Sequence, residues 1–307
     1  MFSYEYWGNN TLDIKANMAM EEYLLDRSEK EKVATVRFWN VARDAIVLGY
    51  SEATSNIKKL DCTFDVARRI TGGSHVEFDM HSLAYSFTVP RDGSFGHFED
   101  MRAYFAEKVA AALIELGVDD VSIDNRASTI NVDGKVIASH AIFWGVKSAL
   151  MHGLMLIDSY DVDKIYERVL LKERKIGKKV YTEYSALKNA PTLSSQLQKE
   201  IKRIDAGHKR EYVKRLVAEE MLKQIAGERF EKKAPSTEIV SNAESVVAAR
   251  HTGSPWFNER RPPYTKGEVE AIPGEELDGL LRKRLGYCLY IEVSDKDFAK
   301  MSVPKED

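Results

Sequence analysis

The chain has 307 residues, 44% of them hydrophobic and 30% charged, a balance typical of a soluble globular protein with a large core. Its formal net charge of −3 gives no general attraction to nucleic acid, so any anion site must be local. No stretch approaches the roughly 20 apolar residues that span a bilayer, and the N-terminus lacks the basic start and apolar run of a signal peptide. Cys62 and Cys288 have neither metal-binding nor redox spacing. We therefore expect a cytoplasmic protein that binds neither nucleic acid nor membrane.

Short apolar runs and amphipathic stretches alternate along the first two thirds of the chain. Methionine, tyrosine and leucine recur near one helical face in Asn17–Asp26, which predicts a helix. A second helix is predicted over Asp100–Leu116, with Asp100 as its cap and Gly117 after its end. Strands are predicted over Val33–Trp39, Ala45–Leu48, Ala67–Ile70, Ser74–Phe78, Leu83–Val89 and Ala149–Ile157. The Asp133-Gly134 pair between apolar runs predicts a hairpin.

The last third is more charged. Leu197–Ile225 has the pattern of one long helix, and Asn242–Arg250 that of a shorter one. The sequence RRPP at residues 260–263 reads as a linker or domain edge. A short helix (Gly274–Arg284) and a strand (Cys288–Val293) follow. Strands with inserted helices predict an α+β fold of mixed sheets packed with helices.

The stretch ARRITGGSHVEFD, residues 67–79, places two arginines ahead of paired glycines. Glycines let the backbone approach a ligand, and adjacent amides can face an anion. Arg68 and Arg69 can supply a fork of donors to a phosphate or carboxylate, although alternation along a strand lets only one of them face the site. The alternative is an ordinary hairpin whose glycines supply positive φ and whose arginines are solvated. Local chemistry leaves both readings open.

Six segments resemble, in order, motifs of the biotin/lipoate protein ligase superfamily, and in particular of the lipoate–protein ligase A family. WNVARDAIVLGYSE followed by ARRITGGSHVEFD resembles the central region of these ligases, RRxxGGGAVxHD. The other segments are NMAMEEYLL, LAYSFTV, STINVDGKVIASHA (similar to NDIxxxGKKIxGSA), MHGLMLID (similar to HGxLLLD) and ARHTGSPWFNER (similar to YxSxxWNxG). The resemblance implies a catalytic domain of the biotin/lipoate ligase type at residues 1–260 and a short C-terminal extension at 261–307.

The resemblance also implies an activity. Lipoate or octanoate is activated by ATP to an acyl-adenylate and then passed to a lysine of an acceptor domain. The expected cofactors are ATP and Mg²⁺, with lipoic acid as substrate. The expected acceptor is the lipoyl domain of a 2-oxoacid dehydrogenase acyltransferase subunit or a glycine cleavage H-protein, and a separate accessory subunit is a further expected partner. Activation brings a carboxylate and the α-phosphate together, so positioned donors, a lysine and magnesium must neutralise the charge.

Positions that match the family motifs give the expected site. The acyl-adenylate is expected to contact Arg68, Arg69, Thr71, Gly72, Gly73, Ser74, Asp79, Lys135, His152 and Gly153, with Lys135 as the catalytic lysine and no metal ligand assigned. Asp79 is expected to organise the ligand and His152 to support the site by hydrogen bonding. Candidates for a narrow apolar acyl channel, each of which also reads as plain core, are Phe78, Tyr85, Phe87, Met155 and Leu156. His75 and His140 read as core or surface histidines.

The catalytic lysine depends on strand register. A gapless comparison puts Val136 at the lysine position of the family, with Lys135 next to it. A one-residue offset turns a strand side chain to the opposite face. Lys135 can therefore serve only if a bulge or insertion shifts the register, which the extra residue Ile137 permits. Lys147 is the fallback.

Other departures from the family pattern keep alternatives open. Ser74 stands at the third glycine of the family, Phe78 at its histidine and Ser128-Thr129 at its Asn-Asp pair. These losses fit a non-catalytic protein that binds lipoyl groups or adenylate. An octanoyl-carrier-protein:protein octanoyltransferase needs an activated cysteine, and neither cysteine lies where that chemistry requires it. A biotin protein ligase is disfavoured because its glycine motif reads GRGRxxR. The basic run Arg174–Tyr181 reads as a solvated loop, an adenylate-binding loop or a contact for an acidic lipoyl domain.

Overall fold

The computed structural model describes residues 2–57, 64–158, 161–169, 173–176, 179–182, 192–205 and 207–233, together with Trp256. The strands are β1 Tyr4–Leu12, β2 Ala34–Val41, β3 Ala45–Leu48, β4 Asp65–Arg68, β5 Val76–Phe78, β6 Ser82–Pro90, β7 Val121–Asp124, β8 Thr129–Val132, β9 Lys135–Trp144, β10 Ser148–Leu156, β11 Glu173–Ile176, β12 Lys179–Thr182 and β13 Phe230–Lys233. The helices are α1 Ile14–Glu31, α2 Phe98–Glu115, α3 Val162–Arg168, α4 Leu193–Gln196, α5 Gln198–Ile201 and α6 Lys209–Ala226. No helix in this part of the chain has the length and apolarity of a membrane span.

An eight-stranded mixed sheet forms the centre, in the order β13-β1-β2-β6-β10-β9-β8-β7. The pairs β13/β1 and β1/β2 are parallel, and the pairs from β2/β6 to β7/β8 are antiparallel. A small sheet has the order β4-β3-β5, and β11 and β12 form a separate hairpin. Mixed sheets packed with helices confirm the predicted α+β fold.

The two faces of the large sheet carry different elements. One face, called the α2 face, packs against α2 and α6 in a core that includes Tyr85, Phe87, Met151 and Phe105. The opposite face, called the α1 face, is covered by α1 and the small sheet. Trp39 stacks on Phe78 there, with ring centroids 5.1 Å apart. Because strand side chains alternate, residues adjacent on one strand belong to different faces.

Helix α1 is longer than the predicted Asn17–Asp26 because a capping residue precedes the apolar pattern. The Asp13 side chain accepts a hydrogen bond from the amide of Ala16 at 2.9 Å. Lys32 ends the helix in the left-handed region, with φ of 58°. The buried face of α1 also carries Asn17 and Glu21, which bring polar groups into the interior.

Most predicted strands are confirmed to within a few residues, and β3 matches its predicted bounds. The hairpin between β8 and β9 is also confirmed: Asp133 and Gly134 have φ of 51° and 70°, as a tight type I′ turn requires. Strands β1, β7 and β13 have no counterpart in the predictions.

Several expectations need correction. Leu197–Ile225 is not one helix, because α5 ends at Ile201 and α6 begins at Lys209. Asp100 is not the N-cap of α2: it lies inside the helix, and its carboxylate accepts from the amide of His97 at 2.9 Å. The basic run Arg174–Tyr181 lies on the β11–β12 hairpin instead of in a loop. The elements predicted beyond residue 240 and the domain edge at 260–263 lie outside the described residues.

Candidate functional site

The paired glycines form an exposed turn that lies close to the end of β3. The amide of Tyr50 donates to the carbonyl of Thr71 at 2.8 Å. A Cβ on Gly49 would lie 1.7 Å from the carbonyl oxygen of Gly73, so the approach requires glycine there. The amides of Gly72 and Gly73 donate no hydrogen bond within the described part of the chain. They can therefore both donate to an anion.

Arg68 braces the backbone that follows β3. Its Nη1 donates to the carbonyls of Gly49, Tyr50 and Glu52 at 2.8, 2.9 and 2.7 Å. The residue is 1% exposed. A buried guanidinium bonded to backbone carbonyls fixes the path of the chain, so the reading with solvated arginines is wrong.

Arg69 holds the glycine turn itself. Its Nη2 donates to the carbonyls of Gly72 and Ser74 at 2.6 and 2.7 Å, and its Nη1 donates to the carbonyl of Val47 at 3.1 Å. Its Nε donates to Thr71 Oγ1 at 2.9 Å. As alternation along the chain predicts, only one of the two arginines reaches the turn.

A chain of buried hydrogen bonds joins this turn to α1. Thr71 Oγ1 lies 2.7 Å from His152 Nε2, and His152 Nδ1 lies 2.7 Å from Glu21 Oε2. A guanidinium can only donate, so Thr71 Oγ1 accepts from Arg69. In the tautomer that carries its proton on Nδ1, His152 donates to the Glu21 carboxylate and accepts the Thr71 hydroxyl proton at Nε2. His152 thus links the glycine turn to α1 by hydrogen bonding.

His152 ends a row of polar side chains on the α1 face. Arg37 on β2 pairs with Ser86 on β6, which pairs with His152 on β10, so their side chains lie next to one another. Arg37 donates to the carbonyl and Oδ1 oxygens of Asn17 at 3.3 and 2.5 Å. Burial lowers the pKa of Arg37 to about 10, and the charge of Glu21 acts in the opposite direction. A cation and a carboxylate that attract each other are therefore both buried between the large sheet and α1.

Some buried polar atoms in this row lack a hydrogen-bond partner among the described residues. Arg37 Nε, Ser86 Oγ and Glu21 Oε1 are buried and have no hydrogen-bond partner among the residues that the structure describes. Buried polar atoms in folded proteins are usually hydrogen-bonded to protein, water or ligand. The α1 face can thus accept a further polar group.

Gly153 faces the other way. A Cβ at this position would lie 2.5 Å from the ring of Tyr85, so the glycine makes room for that side chain on the α2 face. Tyr85 in turn bonds His140 Nε2 at 2.5 Å. Burial lowers the pKa of His140 to about 3. Of the two neighbours on β10, His152 therefore makes a polar contact to the glycine turn, and Gly153 packs closely against Tyr85 in the core.

Asp79 shapes the turn between β5 and β6. Its Oδ1 accepts from the amide of His81 at 2.8 Å and from Ser82 Oγ at 3.4 Å. Burial raises its pKa, against the opposing effect of the His81 amide. Ser74, at the other end of β5, contributes its carbonyl to Arg69. The structure thus links Ser74 to the turn by hydrogen bonding, whereas the recorded bonds of Asp79 lie at a separate turn.

The register of β9 changes at a bulge. Ile130 pairs with Ala138, whereas Asn131 pairs with Val136 and Val132 with Lys135, so Ile137 is the extra residue. If the register of Ile130 and Ala138 continued without the bulge, Val132 would pair with Val136. With the bulge, Val132 pairs with Lys135. The expected register shift is confirmed. Lys135 itself is exposed at the hairpin end, opposite a residue of the α2-face core, and the structure does not bring it into the hydrogen-bonded group around His152.

The residues proposed for an acyl channel do not share one face. Phe78 packs on the α1 face with Trp39 and Met18. The other four, Tyr85, Phe87, Met155 and Leu156, belong to the α2-face core, so the expectation of one channel is wrong. His75 is buried and bonded to Glu52 Oε1 at 2.5 Å, in agreement with its reading as a core residue.

Sequence reasoning missed two charged residues of the site, Glu21 and Arg37. Glu21 lies four residues after Asn17 within an apolar helical pattern, which puts both on one buried face. Arg37 lies in the buried middle of β2, between Val36 and Phe38. Charged residues on predicted core faces are the signal that would have found them.

No group of three or more histidine, cysteine, aspartate or glutamate side chains among the described residues can hold a metal ion. The expected Mg²⁺ therefore has no protein site of that kind in this part of the chain.

Residues 13–208 match the family model of the lipoyl protein ligase A/B catalytic domain, and the chain belongs to this family. It is 31% identical over 178 residues to Lipoate–protein ligase 1 of Staphylococcus aureus, covering 56% of this chain and 51% of that protein. It is 30% identical over 177 residues to lipoate-protein ligase LplJ of Bacillus subtilis, covering 55% and 50%. The chain thus spans about half the length of the curated relatives it matches.

Solved structures share the fold. A protein described as a lipoate protein ligase of Thermoplasma acidophilum, with bound lipoic acid, superimposes with a TM-score of 0.64 and 17% identity, covering 84% of this chain and 99% of that one. Lipoate-protein ligase A bound with ATP gives a TM-score of 0.63 at 18% identity, covering 83% and 98%. The architecture is therefore that of lipoate ligase catalytic domains.

Proposed function

We propose that the chain attaches lipoate or octanoate to a lysine of an acceptor lipoyl domain, through an acyl-adenylate formed with ATP. One structural observation carries the proposal within this family. The glycine turn exposes two adjacent amides, while Arg69, Thr71 and His152 fix its shape from below. Such a turn suits the α-phosphate of an adenylate, because backbone N–H groups held in place stabilise negative charge without reorganisation.

The residues beneath the turn have distinct proposed tasks. Thr71, Gly72, Gly73 and Ser74 would line the adenylate, and Arg69 would hold their backbone. Arg68 would support the same loop from the β3 side. His152 would orient the Thr71 hydroxyl, Gly153 would keep the strand close to Tyr85, and Asp79 would set the neighbouring turn. Mg²⁺ would be bound through the ATP phosphates and would help to neutralise them.

Lys135 is proposed as the catalytic lysine. It is the lysine in the segment that matches the family motif. Because of the bulge at Ile137, Lys135 pairs with Val132, in the position that residue 136 would otherwise take. We expect Lys135→Ala to lower the rate of adenylate formation by about 100-fold, since a positioned charge stabilises the transition state. Lys147→Ala is the control: Lys147 pairs with Glu29 at 3.0 Å, and its loss should change the rate less than about twofold. Equal activity of Lys135→Ala and the unmodified protein would remove this assignment.

One assay tests the function. The protein is incubated with lipoate, Mg-ATP and a lipoyl domain, and the mass of the domain is measured. ATP-dependent addition of a lipoyl group supports the ligase. Addition only from octanoyl-carrier protein, with none from lipoate and ATP, would point to the transferase instead. No modification under either condition, with an accessory chain present as well, would leave a binding protein.

The acceptor is proposed to be the lipoyl domain of a 2-oxoacid dehydrogenase acyltransferase subunit or a glycine cleavage H-protein. A related fold supports testing both with and without a partner, because one solved neighbour is a bi-partite lipoate protein ligase with its E2 lipoyl domain, from Thermoplasma acidophilum. Comparing initial rates on the two acceptors would rank them.

A further inference from the structure

The hydroxyl of Thr71 occupies the position of a nucleophile in a hydroxyl–imidazole–carboxylate chain. We propose that Thr71 accepts acyl groups from thioesters and other activated esters as a threonyl ester, without ATP. The proposal goes beyond the ligase activity and rests on the proposed function only for the choice of a medium-length acyl chain.

The geometry meets the requirements of nucleophilic catalysis. The Oγ1–Nε2 and Nδ1–Oε2 distances along Thr71, His152 and Glu21 are both 2.7 Å, which is hydrogen-bond reach for a nucleophile, its base and the group that orients the base. The three residues come from a loop, a central strand and a helix. Roles of this kind are recognised by geometry and not by order in the sequence.

The direction of the protons fits the same role. The Arg69 Nε–H donates to Thr71 Oγ1 at 2.9 Å, and in the tautomer with its proton on Nδ1 His152 accepts the threonine proton at Nε2. This is the proton that a base must remove. The guanidinium hydrogen bond also stabilises negative charge that develops on the oxygen. Arg69 thus favours the nucleophilic form of the hydroxyl.

The turn supplies the other half of an acyl-transfer site. The adjacent amides of Gly72 and Gly73 donate to no other group within the described residues. Backbone N–H groups next to a nucleophile can stabilise the oxyanion of a tetrahedral intermediate. A Cβ at Gly72 would meet nothing within 4 Å, so open space adjoins this side of the turn. Thr71 is 1% exposed, and an acyl donor would reach it through this space.

The reaction has two balanced steps. In the first, Thr71 Oγ1 attacks the acyl carbonyl, His152 takes the hydroxyl proton, and the C–S bond breaks as that proton passes to the leaving thiolate. The products are a threonyl ester and a free thiol. In the second, the amine of an acceptor lysine attacks the ester, an amide forms, and the proton lost by the amine returns to Thr71 through His152.

The test uses an octanoyl thioester of pantetheine and p-nitrophenyl octanoate, both without ATP, on the full chain. Intact mass should increase by one octanoyl group, and peptide mapping should place it on Thr71. The adduct should resist neutral hydroxylamine, which cleaves thioesters, and be released at alkaline pH, as an oxygen ester is. Thr71→Val should lower the acylation rate by about 100-fold, whereas Thr71→Ser should keep it within about tenfold.

Further variants separate a chemical role from a structural one. His152→Gln should lower acylation by about 100-fold while circular dichroism shows the same fold. Ser122→Ala removes an exposed hydroxyl on β7 and should leave acylation unchanged. The proposal is overturned if the octanoyl group maps to another residue, if no adduct forms, or if Thr71→Val acylates at the rate of the unmodified chain. ATP-dependent lipoylation is measured on the same samples, so the ligase can fail or succeed independently.

Discussion

Arg37 and Glu21 are buried charges that depend on each other. Arg37 is fully buried, and its hydrogen bonds go to Asn17, one helical turn before Glu21 on the same helix. Glu21 in turn accepts from His152. A single arginine therefore balances the carboxylate on which the orientation of the Thr71 hydroxyl depends.

Removing this cation should destabilise the protein. We expect Arg37→Met to lower the free energy of unfolding by about 3 kcal/mol, because it leaves a buried carboxylate without its counter-charge. Urea denaturation measures the change. Arg126→Met is a control, since the Arg126 side chain is exposed and its removal should cost less than about 1 kcal/mol. The double variant Arg37→Met/Glu21→Gln should recover part of the loss, and no recovery would mean that the two charges are not coupled.

Adding one methyl group at Gly153 tests how tightly this position packs against Tyr85. Gly153→Ala should cost about 1–3 kcal/mol, because the added methyl overlaps the Tyr85 ring and forces it to move. Thermal and urea unfolding both report this change. Combining it with Tyr85→Leu should make the two effects clearly non-additive, whereas simple addition would show that the methyl meets something else.

His140 predicts a dependence of stability on pH. Its pKa is lowered by burial to about 3, whereas the unfolded chain has a value of about 6.5. Below about pH 6.5 the unfolded state therefore binds the extra proton, and stability is lost as the pH falls towards 3. His140→Gln removes this contribution. The loss of unfolding free energy between pH 7 and pH 5 should be smaller in the variant by on the order of 1–2 kcal/mol, and equal losses would show that the folded protein does not keep His140 neutral.

At the scale of elements, variants of the β8–β9 hairpin can test whether the pairing position of Lys135 matters for activity. Deleting Ile137 removes the bulge but leaves Asn131 opposite Val136 and Val132 opposite Lys135. Exchanging Lys135 and Val136 instead takes the amine out of the position opposite Val132. We expect the deletion to keep ligase activity within about tenfold and the exchange to lower it by about 100-fold. The reverse ranking in a lipoylation assay would show that the pairing position of Lys135 is irrelevant.

The sequence predicted elements well where one physical signal dominated. Apolar strand runs and the Asp133-Gly134 turn fix β3, β6, β10 and the β8–β9 hairpin. The single helix over Leu197–Ile225 fails because helical spacing in the sequence continues between Ile201, where α5 ends, and Lys209, where α6 begins. The edge strands β7 and β13 are short and partly exposed, so they carry little apolar signal.

The site was predictable only in part. Motif positions located the loop and His152, because glycine pairs and histidines are visible in one segment. The Glu21–His152 bond joins residues 131 positions apart, and no local pattern specifies such a contact. The residues predicted to form one acyl channel lie on two faces of the sheet for a similar reason. The face that a buried side chain occupies depends on how the strands pair, which no local pattern specifies.

At the scale of the whole molecule, the sheet order brings distant segments to one place. Strands β2, β6 and β10 are neighbours, so Arg37, Ser86 and His152 meet in a row under α1. Helices α2 and α6 cover the opposite face, which leaves the α1 face for chemistry. One face of the sheet thus carries most of the stabilising core, and the other carries the polar site.

Ligand binding should stabilise this arrangement. A non-hydrolysable lipoyl-adenylate analogue at about 100 times its Kd should raise the unfolding free energy by about 2.7 kcal/mol. Thermal denaturation with and without the analogue measures the effect, and biotin at the same concentration is the control. An unchanged melting temperature would exclude adenylate binding, whether catalytic or not.

Trp256 connects a late part of the chain to the glycine turn. Its indole N–H donates to the carbonyl of Arg68 at 3.1 Å, across 188 positions of sequence, and its ring packs with Ile70 and Leu25. Thermodynamic linkage is reciprocal. If docking of Trp256 changes the affinity of a ligand for the turn by some factor, binding of that ligand changes the docking equilibrium of Trp256 by the same factor. Ligand binding at the turn and docking of the segment that carries Trp256 are therefore expected to be coupled.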